Sequence, residues 1–115
     1  MKISFLTVAL ILCAIGRAHA TTLAPGDLLA HDATYDGKAV AVAGTVSDFR
    51  SHVSHKGNAY VTFELCASGC IHVFEWGSPS IGEGQALTVH GTFSAVKHVG
   101  RYTFYNEIEA DDGSP

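Results

Sequence analysis

Tyr60–Trp76 reads YVTFELCASGCIHVFEW, and this stretch decides the fold. Its two arms alternate with period 2 and are rich in β-branched and aromatic residues, the pattern of two paired strands. Between them Ala67-Ser68-Gly69 forms a three-residue hairpin loop, with glycine at the left-handed position of a G1-bulge turn. That turn sets a register: Cys66 opposite Cys70, Leu65 opposite Ile71, Glu64 opposite His72, Phe63 opposite Val73, Thr62 opposite Phe74 and Tyr60 opposite Trp76. One face then carries Val61, Phe63, Leu65, Ile71 and Val73, which is a core face. The other carries Tyr60, Thr62, Glu64, His72, Phe74, Trp76 and both cysteines. Opposed residues bring their Cβ atoms to about 4.5–5.5 Å, near the span of a disulfide, so the register predicts a Cys66–Cys70 bond. The chain-entropy model assigns so small a ring only about 2 kcal/mol, so the bond pins the turn more than it holds the domain.

Ahead of this hairpin, Met1-Lys2 opens an apolar run from Ile3 to Ile15 that ends in Gly16-Arg17-Ala18-His19-Ala20. A basic start, an apolar centre and a small-x-small site are the parts of a secretory signal peptide, predicted over residues 1–20. The apolar run is short of the ~20 residues a membrane span needs, and Leu12 stands before Cys13 where a lipoprotein signal has a small residue. The expected product is a periplasmic or secreted protein with no membrane attachment. Removing 20 residues from 115 leaves 95, enough for a single domain over residues 21–115 with one core. Two cysteines remain, an even number in an oxidising setting. Without Lys2 and Arg17 the chain has 5 basic against 11 acidic residues, a formal charge of −6 with six histidines uncounted. So acidic a domain is not built for indiscriminate phosphate binding, and an anionic ligand has to be met locally.

Between leader and hairpin, residues 21–38 predict a short helix with Pro25 in its first turn, Asp27 at its positive end and Thr22 as candidate cap. From Lys38 the period changes to 2, with Val40, Val42 and Val46 on one face; Gly44 inside this strand predicts a bend or bulge. Arg50–Asn58 reads as a polar loop. After the hairpin, residues 77–84 are too rich in glycine for a good helix. Gln85–Ala95 predicts a fourth strand with Leu87, Val89 and Phe93 inward. Val96–Gly100 reads as a turn, Arg101–Ala110 as a fifth strand with Phe104 and Ile108 inward, and residues 111–115 as an acidic, frayed tail. Gly-Thr at Gly44-Thr45 recurs at Gly91-Thr92.

Five strands in meander-like order with little helix predict an all-β, five-stranded OB-fold-like barrel with a short N-terminal helix; a β-sandwich needs more strands from the same length. The segments YDGKAVAVAGTV, YVTFELC, GCIHVFEWG, GEGQALTVHGTF and RYTFYNEIEA resemble the small exported OB-fold domains grouped with nucleic-acid-binding, anticodon-binding-like OB proteins. The resemblance covers nearly all of residues 35–110 and implies the fold more than a function. Such domains commonly carry an Asp-rich turn between strands two and three, where this chain has CASGC.

OB-folds bind ligands on the face of strands two and three, between the first-to-second and fourth-to-fifth loops. Here those loops hold Arg50, His52, His55 and Lys56, and Lys97, His98 and Arg101. The face between them offers Tyr60, Phe74 and Trp76 as stacking platforms beside His72. The alternative is that the loops are merely polar and that the helix or tail covers the aromatics. His52-Val53-Ser54-His55, His72 and His90 invite a copper or zinc site, but no third ligand is set by spacing, so solvated histidines and a Glu64–His72 cross-strand pair are the expectation. His98-Val99-Gly100-Arg101-Tyr102 has the His-x-x-x-Tyr spacing of the haem chaperone of cytochrome c maturation. In that family the motif follows the last strand, whereas here it spans a hairpin.

Asp48, Glu64 and Glu75 are scattered without a nucleophile, and no glycine-rich phosphate loop precedes a helix, so the expectation is a non-enzymatic module without cofactor or metal. The predicted partner is a single-stranded nucleic acid or another extended anionic oligomer. The alternative partner is another exported protein, with metal or haem handling third.

Overall fold

In chain order the elements are β1 (Thr22–Leu23), α1 (Pro25–Ala30), α2 (Asp32–Tyr35), β2 (Ala39–Val53), β3 (Ala59–Cys66), β4 (Cys70–Trp76), β5 (Ala86–Val99) and β6 (Tyr102–Ala110). The structure is a computed structural model that describes residues 22–111. The segment at 1–20 that the sequence predicts as a signal peptide, and the tail beyond Asp111, lie outside the described residues. Among the described residues no helix is long and apolar enough to cross a membrane.

The hairpin that the alternation predicts is β3–β4, with Tyr60↔Trp76, Thr62↔Phe74, Phe63↔Val73, Glu64↔His72, Leu65↔Ile71 and Cys66↔Cys70. The cysteine sulfurs lie at bonding distance, 2.08 Å. The left-handed backbone of the turn is spread over two residues, Ser68 (φ 51°) and Gly69 (φ 116°), rather than glycine alone. Helix α1 lies against this turn: Gly26 faces the Ser68 carbonyl with no room for a Cβ, and a Cβ at Gly69 would stand 3.3 Å from Leu29. Pro25 opens the helix and the Asp27 carboxylate accepts from the Ala24 N–H at 2.9 Å. Thr22 is no cap, because it belongs to β1 and pairs with Ala41.

Each long strand serves two neighbours. β2 pairs antiparallel with β5 over Ala39–Thr45 and with β3 over Thr45–Val53. β5 pairs with β2 over Ala86–Thr92 and with β6 over Gly91–Val99. β4 closes on β6 in parallel, His72↔Glu107 through Phe74↔Glu109. The pairings therefore run β2-β3-β4-β6-β5 and return to β2. The expected meander gives way at one point: the connection through residues 77–85 lets β5 pass beyond β4, and β6 fills the gap between them.

The register of β2 against β3 shifts between Ser47 and Arg50. Asp48 is left-handed there (φ 54°), and the Glu83 carboxylate accepts the N–H groups of Asp48 (3.0 Å) and Phe49 (2.8 Å) that the bulge leaves out of the ladder. The bulge is thus four residues beyond Gly44, which itself stands where β2 passes from β5 to β3, the bend that the sequence places there. Strand pairing also runs further than expected on both sides of the groove described below. β2 continues to Val53, which leaves only Ser54–Asn58 as turn, and β5 continues to Val99, which leaves Gly100-Arg101.

The core holds the inward residues of β2 to β6, with Val42, Val46, Phe63, Leu65, Ile71, Val73, Phe93 and Ile108 almost fully buried and Leu28 of α1 against them. Full burial of side chains of this size stabilises by about 1.5–3 kcal/mol each. Phe104 is not among them. It is 40% exposed, against 0% for Ile108, although both were expected inward. Between them Asn106 is left-handed (φ 52°), and Ala95 opposite it turns its N–H to the Asp36 carboxylate at 2.7 Å instead of the ladder. This break resets the alternation along β6.

Candidate ligand groove

The outward row of the hairpin assembles four rings. His52, opposite Tyr60 on β2, stacks on it at 4.7 Å and 15°; Tyr60 stacks on Phe74 at 5.0 Å; Trp76 stands edge-on to Phe74 at 5.0 Å and to Tyr60 at 5.6 Å. Directly opposed and diagonal positions on one strand face are the positions at which rings reach each other, so the row follows from the register. His52 Nε2 also lies 2.9 Å from Thr62 Oγ1, which holds its ring in place.

Across from this row stand the groove-side residues of the β5–β6 ribbon: Lys97, Val99, Tyr102 and Phe104, with Glu107 and Glu109 at its base. Together with His52, Ser54, His55, Tyr60, Thr62, His72, Phe74 and Trp76 they line a cleft of about 830 Å³. A shallower hollow by Ala43, Thr45, Ala86 and Thr88 has no aromatic or titratable lining. Helix α1 does not cover the rings, and Trp76 keeps 44% of its surface exposed.

The charges inside the cleft are arranged around Lys97. Its ammonium lies 3.5 Å from Glu107 Oε1, 3.2 Å from Glu109 Oε1 and 5.6 Å from the centre of the Phe74 ring. The Glu107 side chain is only 5% exposed, so Lys97 is its principal counter-charge. His72 bridges Glu64 (3.0 Å) and, at 3.9 Å, Glu107. Among the described residues no three His, Cys, Asp or Glu side chains converge as a metal ion requires.

The structure brings part of the expected site together. His52, His55, Tyr60, His72, Phe74, Trp76 and Lys97 line the cleft; Arg50, Lys56, His98 and Arg101 do not. Arg50 is tied to Asp48 at 3.1 Å, and Lys56 and Arg101 are exposed in turns. His98 bonds Thr103 on the far face of the ribbon (3.2 Å) while Tyr102 lines the cleft, so the two ends of the His-x-x-x-Tyr spacing point to opposite sides.

No family model matches this chain. Neither the curated proteins nor the solved structures hold a match for it.

Ser54, Thr62, Val99, Tyr102, Phe104, Glu107 and Glu109 also line the cleft, beyond the site residues expected from the sequence. A signal for some of them was present. A two-residue Gly100-Arg101 turn pairs Val99 with Tyr102 and Lys97 with Phe104, which puts all four on one face.

Proposed function

We propose that this chain is an OB-fold binding module whose ligand is an extended polymer laid across the aromatic groove. The cyclic strand order with a parallel β4–β6 closure supports a small five-stranded barrel, and the groove lies on the face of the second and third barrel strands, where OB-folds bind. The observation that carries the reading is the row His52, Tyr60, Phe74 and Trp76, four contiguous rings lining an open cleft. The row presents a continuous aromatic strip to the units of a polymer, with the exposed Trp76 at its end as a stacking seat worth about 1–3 kcal/mol for a base, and it requires no reacting group. A signal peptide and a disulfide would place such a module outside the cytoplasm.

Fluorescence of Trp76, the only tryptophan, reads occupancy directly. Titration with single-stranded oligonucleotides and with unstructured peptides should give a saturable change with one class, lost in Phe74→Ala. No response to either class at low salt would overturn the reading.

A further inference from the structure

The groove carries a charge pattern that selects among polymers. Its lining holds one ammonium, Lys97, against two carboxylates, Glu107 and Glu109, and a third carboxylate, Glu64, lies behind it on His72. Arg50, Lys56 and Arg101 stand outside. A single strand of nucleic acid brings one phosphate charge per unit and needs cations along its track. Here the one cation on the track is already shared between two carboxylates.

Glu107 adds a second, independent observation. It is 4% exposed and lines the cleft, yet its Oε1 accepts no hydrogen bond among the described residues, Lys97 standing at ion-pair distance, 3.5 Å. A buried carboxylate oxygen is normally matched by a donor. Lys97 also shows what the groove does to a cation, for its ammonium sits over the face of Phe74 as well as between the two acids.

We infer, resting on the polymer-binding reading above, that the occupant is an extended segment of another polypeptide that presents a lysine or arginine to Glu109, beside the buried Glu107, and seats apolar side chains on Tyr60, Phe74 and Trp76. An arginine fork meets the half-exposed Glu109 with two parallel donors, which frees Lys97 to turn fully to the buried Glu107. Alternation along an extended segment sends every second side chain to the ring row, and a cleft of about 830 Å³ holds a few such residues.

The test uses the full-length chain and three fluorescein-labelled probes read by anisotropy: an unstructured peptide alternating arginine with leucine, the same peptide with glutamate for arginine, and a single-stranded oligothymidine. The arginine peptide should bind at least about tenfold more tightly than the glutamate peptide, and Glu109→Gln should remove about tenfold of that affinity. Glu109 is half exposed, so its variant keeps the fold; Phe74→Ala should weaken the arginine peptide as well. Preference for the glutamate peptide, or an arginine peptide indifferent to both Glu109→Gln and Glu107→Gln, would overturn the inference. Tight oligothymidine binding that depends on Phe74 would overturn it too while leaving the polymer-binding reading intact. Absence of binding by all three probes would sink both.

Discussion

Gly44 and Gly91 occupy matching points in the two long strands, each where its strand passes from one neighbour to the next. Gly44 pairs with Leu87, and the following Thr45 pairs with both Ala86 of β5 and Cys66 of β3. Gly91 pairs with both Val40 of β2 and Ala110 of β6. The recurring Gly-Thr is thus the sequence mark of the two corners at which strands crowd together. A Cβ at Gly44 would stand 3.0 Å from the Cys66 carbonyl oxygen and from Leu65 Cγ; at Gly91 it would meet the Glu109 carbonyl directly, with Ala110 Cα at 2.9 Å.

Alanine should therefore cost more at Gly91 than at Gly44. Both sites meet backbone, but at Gly91 the Cβ would overlap it outright, whereas at Gly44 the Cys66 carbonyl stands at 3.0 Å and the Leu65 side chain can yield. We expect Gly91→Ala to lower stability by about 2–3 kcal/mol and Gly44→Ala by about 1, part of each loss being offset by the stiffer unfolded chain. Equilibrium urea unfolding measures both. Equal losses at the two sites would show that the corners relax in ways the close contacts do not convey.

Reduction of Cys66–Cys70 should leave a folded domain with a loosened helix. The ring contributes only about 2 kcal/mol by loop entropy, but the turn it pins is the surface that Gly26 and Leu29 rest on. With reductant, amide exchange should quicken in residues 26–30 first while unfolding stays cooperative. Loss of the cooperative transition would mean that the bond supports the whole sheet.

Removing the Glu83 carboxylate should open the bulge in β2. Glu83→Ala leaves the N–H groups of Asp48 and Phe49 to water, at a cost of about 1–2 kcal/mol for two hydrogen bonds to an exposed charged acceptor. Phe49 packs against Phe63 at 6.3 Å between ring centres, so the effect should extend into the core as faster exchange at both amides. Unchanged exchange there would argue that the bulge is held by its pairing alone.

These contacts separate what can be read from the sequence from what cannot. The β3–β4 register is legible because a three-residue loop, two cysteines and an alternation of faces all agree on it, and the ring row follows from that register. The bulge at Asp48 depends on Glu83, 35 positions on, and the break at Ala95 on Asp36, 59 positions back. No local pattern marks either. Because the break resets the faces of β6, Phe104 reads as core and instead lines the cleft. The basic loops mislead for a related reason: a cation near the groove in sequence is not a free cation in it, since the two carboxylates that hold Lys97 come from the neighbouring strand. Glu75 takes the inward parity of Ile71 and Val73, opposite Val61, but the burial of Glu107 carries no such sign in the sequence.

The Arg50–Asp48 pair outside the groove and the Lys97–Glu107 pair within it should differ in what they contribute. Arg50 and Asp48 are more than half exposed, at 65% and 58%, and a pair in that setting stabilises by about 0–1 kcal/mol. Lys97 is 28% exposed and faces Glu107, whose side chain is 5% exposed, so its loss leaves a largely buried carboxylate with the more distant His72 as its remaining neighbour. Lys97→Met keeps an unbranched apolar side chain of similar length beside Phe74 while deleting the charge, and should cost about 1–3 kcal/mol, less than a fully buried pair because Glu109 and part of Lys97 still meet water. Arg50→Met should lie within about 0.5 kcal/mol of the parent. A double variant, Lys97→Met with Glu107→Gln, should recover much of the loss, because the amide needs no counter-charge. Thermal unfolding of the four proteins measures this cycle. If Glu107→Gln fails to rescue Lys97→Met, the lysine acts through its packing on Phe74 and not through the carboxylate.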